Sequence, residues 1–167
     1  MPHGGMGTHQ SGRMDSDSWL TPRHVLDALG TFDLDPCAAP EPRPWLTAET
    51  HWTHADSALS RAWHGRVWLN PPYGGPSIVG PWMRRLADHG RGTALIFART
   101  ETAVFFETVW DAATAVLFLK GRLFFCRPDG TPAAANAGAP SCLVAYGSTD
   151  AAVLSTCGLP GAFVPLR

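Results

Sequence analysis

The sequence predicts an α/β domain whose sheet is parallel at its centre and finishes with an antiparallel edge. Apolar runs of strand length alternate with amphipathic segments of helix length between residues 66 and 119. That order implies parallel strands joined by right-handed crossovers. Two further strand-like runs then follow with no helix between them, and a connection without a helix reverses the chain. The composition agrees: 45% of the 167 residues are apolar, enough for one core. No apolar run reaches the ~18 residues of a membrane helix, so no membrane partner is expected. The length fits one domain, residues 15–167, behind a polar Gly/His/Ser-rich tail, residues 1–14, expected to be disordered.

Each element has a local reason. Thr21 is placed to cap a helix that starts at Pro22 and stops at Gly30, with Val25, Leu26 and Leu29 on its apolar face. Residues 32–34 read as a short strand ending at Asp35-Pro36. Residues 37–55 hold Pro40, Pro42 and Pro44 with Trp45 and Trp52, a composition for a packed loop, and residues 56–59 read as a capped helical turn. Residues 66–69 form a strand that runs straight into Asn70-Pro71-Pro72-Tyr73-Gly74. A helix then starts between Ser77 and Pro81, with Ile78, Val79, Trp82, Met83, Leu86 and Ala87 at helical spacing, and ends at Gly90. Residues 93–98 are apolar enough for a buried parallel strand. Residues 102–113 make the next helix, with Phe105, Phe106, Val109 and Trp110 inward, and residues 115–119 the next strand. Residues 123–126 and 141–146 read as strands joined by a loop around Asp129-Gly130, and a short helix and a tail follow Thr149.

This pattern is close to a Rossmann-like architecture, in which ligands bind beyond the carboxyl ends of the strands. Asp35 and Asn70 stand at such ends. Thirteen basic residues face fourteen acidic ones, which excludes a uniformly basic coat but not a local basic patch. The four cysteines lack C-x-x-C spacing, and the start lacks an apolar signal segment. Reduced thiols in a cytoplasm are therefore expected. The seven histidines show no metal-ligand spacing, and no metal is expected.

Asn70-Pro71-Pro72-Tyr73 is the sharpest signal. A residue before proline is pushed to an extended conformation, and proline fixes φ and has no N–H. The loop thus presents acceptors: the side-chain oxygen of Asn70 and the carbonyl of Pro71. Two fixed acceptors suit an amino group with two hydrogens, and Tyr73 offers a flat face to a planar ring. An exocyclic amine of a nucleobase fits. Drawing its hydrogens out of plane restores its lone pair for attack on an electrophilic methyl group.

On these residues the chain resembles S-adenosylmethionine-dependent amino methyltransferases, and more specifically the small phage-type DNA N6-adenine methyltransferase (Dam) family. The similar segments, within residues 17–147, include Asp17-Ser18-Trp19-Leu20-Thr21-Pro22, Phe32-Asp33-Leu34-Asp35-Pro36-Cys37-Ala38, Trp63-His64-Gly65-Arg66-Val67-Trp68-Leu69-Asn70-Pro71-Pro72-Tyr73-Gly74, Ala98-Arg99-Thr100-Glu101-Thr102, Phe118-Leu119-Lys120-Gly121-Arg122-Leu123 and Ala139-Pro140-Ser141. The resemblance implies a minimal Rossmann-like class I methyltransferase that moves a methyl group from S-adenosylmethionine to adenine N6 in DNA.

In that reading Asn70 and Pro71 hold the amine, Pro72 keeps the loop extended and Tyr73 stacks on a flipped base. Asp35, Pro36 and Cys37 replace a Gly-rich cofactor motif, with Asp35 beside the cofactor's ammonium; the bland alternative is an Asp-Pro turn. Trp19 and Thr21 close over the cofactor, although Trp19 equally suits a core. Asp56 meets the cofactor's adenine or, as readily, caps a helix. Lys120 and Arg122 contact phosphates, and Phe124 or Phe125, Phe125 foremost, forms the opposite wall of the base pocket. The expected partner is DNA, met by a monomer or homodimer without a separate target-recognition domain, in a bacterial host's cytoplasm if phage-encoded. Cytosine N4 and a protein glutamine amide remain alternatives for the same loop. So does an inactive nucleic-acid-binding module, because no G-x-G follows the first strand.

Overall fold

A computed structural model describes residues 19–167; the tail expected over residues 1–14, together with Asp17-Ser18, lies outside the described residues. The elements in chain order are α1 (Arg23–Leu29), β1 (Leu34–Asp35), β2 (Thr50–His51), two 3-10 turns (His54–Asp56 and Ala58–Ser60), β3 (Val67–Leu69), α2 (Pro76–His89), β4 (Gly92–Phe97), α3 (Ala103–Phe105) with a π-helical turn after it (Phe106–Trp110), β5 (Ala115–Leu119), β6 (Ser141–Tyr146), α4 (Ser148–Thr156) and β7 (Gly161–Pro165). No helix among the described residues is long and apolar enough to cross a membrane.

The strands make one mixed sheet in the order β2-β1-β3-β4-β6-β5-β7. β2, β1, β3 and β4 are parallel neighbours. β6 runs antiparallel to both β4 and β5, and β7 antiparallel to β5. The α/β class and the antiparallel finish are as expected, but two details differ. β6 lies inside the sheet, between β4 and β5, because the α3 crossover leaves room for one strand and the chain returns through residues 120–140 to fill it reversed. The last segment is a true edge strand, β7, rather than a tail.

Layering follows from side-chain alternation. Val67, Leu69, Ala94, Ile96, Val116 and Val144 point to one face, against Met83 and Leu86 of α2 and Phe105 and Val109. Trp68, Leu95, Leu117, Leu143 and Ala145 point to the other, against Val25, Leu26 and Leu29 of α1 and Leu154 of α4. Both faces of β3 are therefore covered, and all three of its residues are buried. A fully buried side chain such as Leu86 contributes about 1.5–3 kcal/mol to this packing.

Local expectations fail where tertiary contacts decide. α1 is capped by Pro22 without a side-chain bond, because Thr21 sits one residue too early and spends its hydroxyl elsewhere. α2 begins at Pro76, leaving Ile78 exposed, and ends at Gly90, whose left-handed φ of 74° lets its N–H reach Leu86 O at 2.9 Å. Thr102 caps α3 as a helix start should, but the π turn rotates Phe106 outward. Residues 123–126 do not form a strand; only Cys126 is bridged, to Leu20 and Pro132. Phe125 and Leu123 take only single backbone bonds, their carbonyls accepting from Ala133 and Ala137 at 2.8 and 2.7 Å.

Candidate active site

The parallel half of the sheet creates the crevice. The chain leaves β1 toward β2 on one side and β3 toward β4 on the other. The two connections diverge at the carboxyl ends of β1 and β3, which is where ligands of open α/β sheets bind. Leu34 pairs with Val67, so Asp35 and the loop after Leu69 flank one opening. A cavity of about 430 Å³ lies there, lined by Asp35, Pro36, Cys37, Asn70, Pro71, Pro72 and Tyr73 together with Trp19 and Thr21. Nine residues singled out in the sequence thus converge, drawn from three separate segments.

Asp35 is the electrostatic centre. It is 3% exposed. Its Oδ1 accepts the Cys37 N–H at 3.0 Å and its Oδ2 accepts the Thr47 hydroxyl at 2.5 Å. Burial disfavours its charge and pushes its pKa up to about 6; the bonds from Thr47 and Cys37, and a weaker pull from Arg43, hold it from rising further. Among the described residues no Arg, Lys or His forms an ion pair with it. A buried carboxylate that lines a cavity and has no ion-pair partner among the described residues is fitted to receive a cation. Burial, and the neighbouring Asp35, push the Cys37 thiol up to about 12, so it stays protonated and is no nucleophile.

Asn70 is held at both ends of its amide. Its Nδ2 donates to Thr21 Oγ1 at 3.2 Å, and its Oδ1 accepts the Tyr73 hydroxyl at 2.9 Å. Burial raises the Tyr73 pKa, which keeps the phenol protonated as that donor. The Tyr73 ring packs against Phe97 (centroids 4.7 Å apart, 37° between planes) and edge-on against Phe125 (5.4 Å, 70°). Two hydroxyls and two aromatic rings therefore order the loop before any ligand arrives.

A second cavity, about 590 Å³, lies on the other side of the loop. Pro71 and Tyr73 line both cavities; the second adds Val79, Phe97, Arg99, Thr102 and Phe105 among others. The loop is thus a shared wall.

The remaining sequence candidates fall outside this convergence. Asp56 lines neither cavity: its carboxylate accepts the Thr53 N–H at 2.7 Å in a capping box and is thereby held below the usual carboxylate range. Lys120 and Arg122 are exposed and line neither cavity. Phe125 is buried under Tyr73, whereas Phe124 is 51% exposed. Sequence reading missed Thr47, His54, Trp82 and Arg99 as lining residues. Trp82 keeps helical spacing and so reads as core; Thr47 sits in a loop with no pattern at all.

Compared with protein families, residues 8–156 match the family model described as DNA N-6-adenine-methyltransferase (Dam). A protein of Escherichia phage T1, named DNA N-6-adenine-methyltransferase, is 33% identical over 107 residues, which cover 60% of this chain and 44% of that protein. The chain spans less than half the length of this curated relative. No solved structure matches it.

Proposed function

The chain belongs to the DNA N-6-adenine-methyltransferase family, and from that premise we propose that it moves a methyl group from S-adenosylmethionine to N6 of an adenine in DNA. The observation that carries the proposal is the Asn70–Tyr73 loop, lining one cavity with a buried carboxylate that has no ion-pair partner among the described residues. The architecture is read as Rossmann-like on the crevice between β1 and β3, where the chain changes direction.

The cofactor occupies the first cavity. Its volume is within the ~300–1,000 Å³ of ordinary ligand sites. Asp35 pairs with the ammonium of the cofactor's amino-acid end, and Trp19, Pro36, Pro40 and Trp82 supply apolar walls. S-adenosylmethionine, when bound, supplies a methyl group made electrophilic by its sulfonium. The chain's own residues do the rest. Asn70 Oδ1 and the Pro71 carbonyl accept the two amine hydrogens, which favours the pyramidal nitrogen that would take the methyl as its bond to sulfur breaks, leaving a thioether and giving up one amine proton to solvent. Oδ1 has two lone pairs, and the Tyr73 hydroxyl takes one.

The target base reaches the loop from the second cavity, out of its duplex, and meets Tyr73. Lys120 and Arg122 lie outside both cavities, as groups that hold phosphates would. Asp56 has no part in this version, because its carboxylate is engaged in a capping box.

The test is tritium transfer from labelled S-adenosylmethionine to adenine-containing DNA, with Asn70→Ala as control. Label on N6-methyladenine that falls at least ~100-fold in the variant is expected, the size of loss seen when one charge-stabilising group is removed from an active site. Label on cytosine or on protein would overturn the choice of base. No transfer by a folded sample would overturn the activity.

A further inference from the structure

We infer that Thr21 is a positioning residue for Asn70: its hydroxyl holds the plane of the amide whose Oδ1 is presented to a substrate amine. The inference rests on the amine-holding role proposed for Asn70.

The terminal torsion of an asparagine is soft and close to two-fold. Turning the amide over would put two N–H donors where the amine needs an acceptor, and the amine would be repelled. Something must hold the plane. Thr21 Oγ1 accepts from Nδ2 at 3.2 Å, and Tyr73 donates to Oδ1 at 2.9 Å.

Thr21 is well built for this. It is 2% exposed. The residue before it, Leu20, is bonded through both N–H and C=O to Cys126, at 2.8 and 2.9 Å. The residue after it, Pro22, caps α1 and restricts Thr21 to extended backbone. The hydroxyl is therefore anchored from both sides and gives no bond to the helix end it was expected to cap. A Thr-Pro start to a helix would ordinarily spend its hydroxyl on the first turn; here it is spent 49 residues away in sequence.

Thr21 also lines the first cavity, so a direct cofactor contact is the rival assignment. The experiment separates the two in the full chain. Thr21→Val keeps the shape and removes the hydroxyl; Thr21→Ser keeps the hydroxyl; Thr21→Ala covers the case in which valine fails to fold. For each, kcat on an adenine oligonucleotide and the calorimetric Kd for S-adenosylmethionine are measured. The Asn70 side-chain amide signals, identified by their loss in Asn70→Asp, are followed by 15N–1H NMR without any ligand.

The expected result is a kcat lower by on the order of 10- to 100-fold in Thr21→Val, the penalty for a misplaced group. The cofactor Kd stays unchanged, the Asn70 amide signals shift or broaden, and Thr21→Ser recovers both. Unchanged kcat with unchanged amide signals would overturn the inference. So would weakened cofactor binding at unchanged kcat, which would give Thr21 to the cofactor. Should the wild-type chain transfer no methyl group, the proposed activity fails, and the NMR arm alone still decides whether Thr21 holds Asn70.

Discussion

Two buried aspartates sit at opposite ends of the sheet and are treated in opposite ways. Asp150, at the amino-terminal end, is fully buried. Its Oδ1 accepts Arg66 Nε at 2.9 Å and the Thr93 hydroxyl at 2.7 Å. Arg66 also donates to the carbonyls of Leu29 and Thr31 and lies over the Phe32 ring. That end joins α1, β3, β4 and α4 with a cation built in. Asp35, at the carboxyl end, has hydroxyl and N–H partners but no cation, and it faces a cavity. The difference teaches where the fold holds itself and where it leaves a charge for something else. The ion-paired network serves stability, although Asp150 Oδ2 and Arg66 Nη2 find no hydrogen-bond partner among the described residues; the unpaired carboxylate carries a cost that a ligand can relieve.

The largest expected effect breaks the closed end. Arg66→Ala strands the Asp150 carboxylate in the core and should destabilise by about 3–5 kcal/mol. Urea unfolding checks this, and the folded fraction should bind S-adenosylmethionine as before. A loss below ~1 kcal/mol would show that the two ends are not different in kind.

The open end should respond with the other sign. The Asp35 carboxyl, at about 6 folded against 3.8 free, binds its proton more tightly in the folded state. Its charge therefore opposes folding fully above pH 6, and this opposition fades as pH falls toward 4. Asp35→Asn should then raise stability at pH 8 by up to roughly 3 kcal/mol, at 1.36 kcal/mol per unit, while cofactor binding is lost. The gain should vanish near pH 4. In the wild type, cofactor affinity should fall about tenfold per pH unit below 6, because the ammonium needs the ionised carboxylate. Thermal melts and calorimetry across pH 4–8 measure both.

The smallest effects concern the exposed surface beyond both ends. Lys120→Ala and Arg122→Ala should leave stability within about 0.5 kcal/mol. Each should reduce the slope of log DNA affinity against log salt by about 0.9 where it meets a phosphate. Unchanged slopes in both would move the DNA path elsewhere.

How much of this was legible in the sequence depends on the range of the causes. The strand before Asn70, the helix after it and the apolar runs of β4 and β5 follow from local periodicity, and they were readable. Asp35 and Asn70 were readable as positions at the carboxyl ends of parallel strands, where such sheets open, Pro71, Pro72 and Tyr73 as the loop that follows, and Trp19, Thr21, Pro36 and Cys37 only through the resemblance. β6 carried an unread signal: Ser141–Tyr146 has no charge and is buried throughout, unlike an edge strand, which is kept polar or blunted. Thr47 carried none, since nothing within a few residues of it reports what lies across the cavity.

The sequence by itself determined the extended form of the loop after β3. Two prolines and their neighbours restrict φ and ψ whatever surrounds them, and alternation decides which faces are apolar. Only the tertiary structure decided the partners. Thr21 reaches Asn70 instead of its own helix, Phe125 lies buried against Tyr73, and Asp35 has no ion-pair partner among the described residues where Asp150 has Arg66. Each of these depends on segments far apart in the chain being brought within bonding distance, and only burial of the shared core does that.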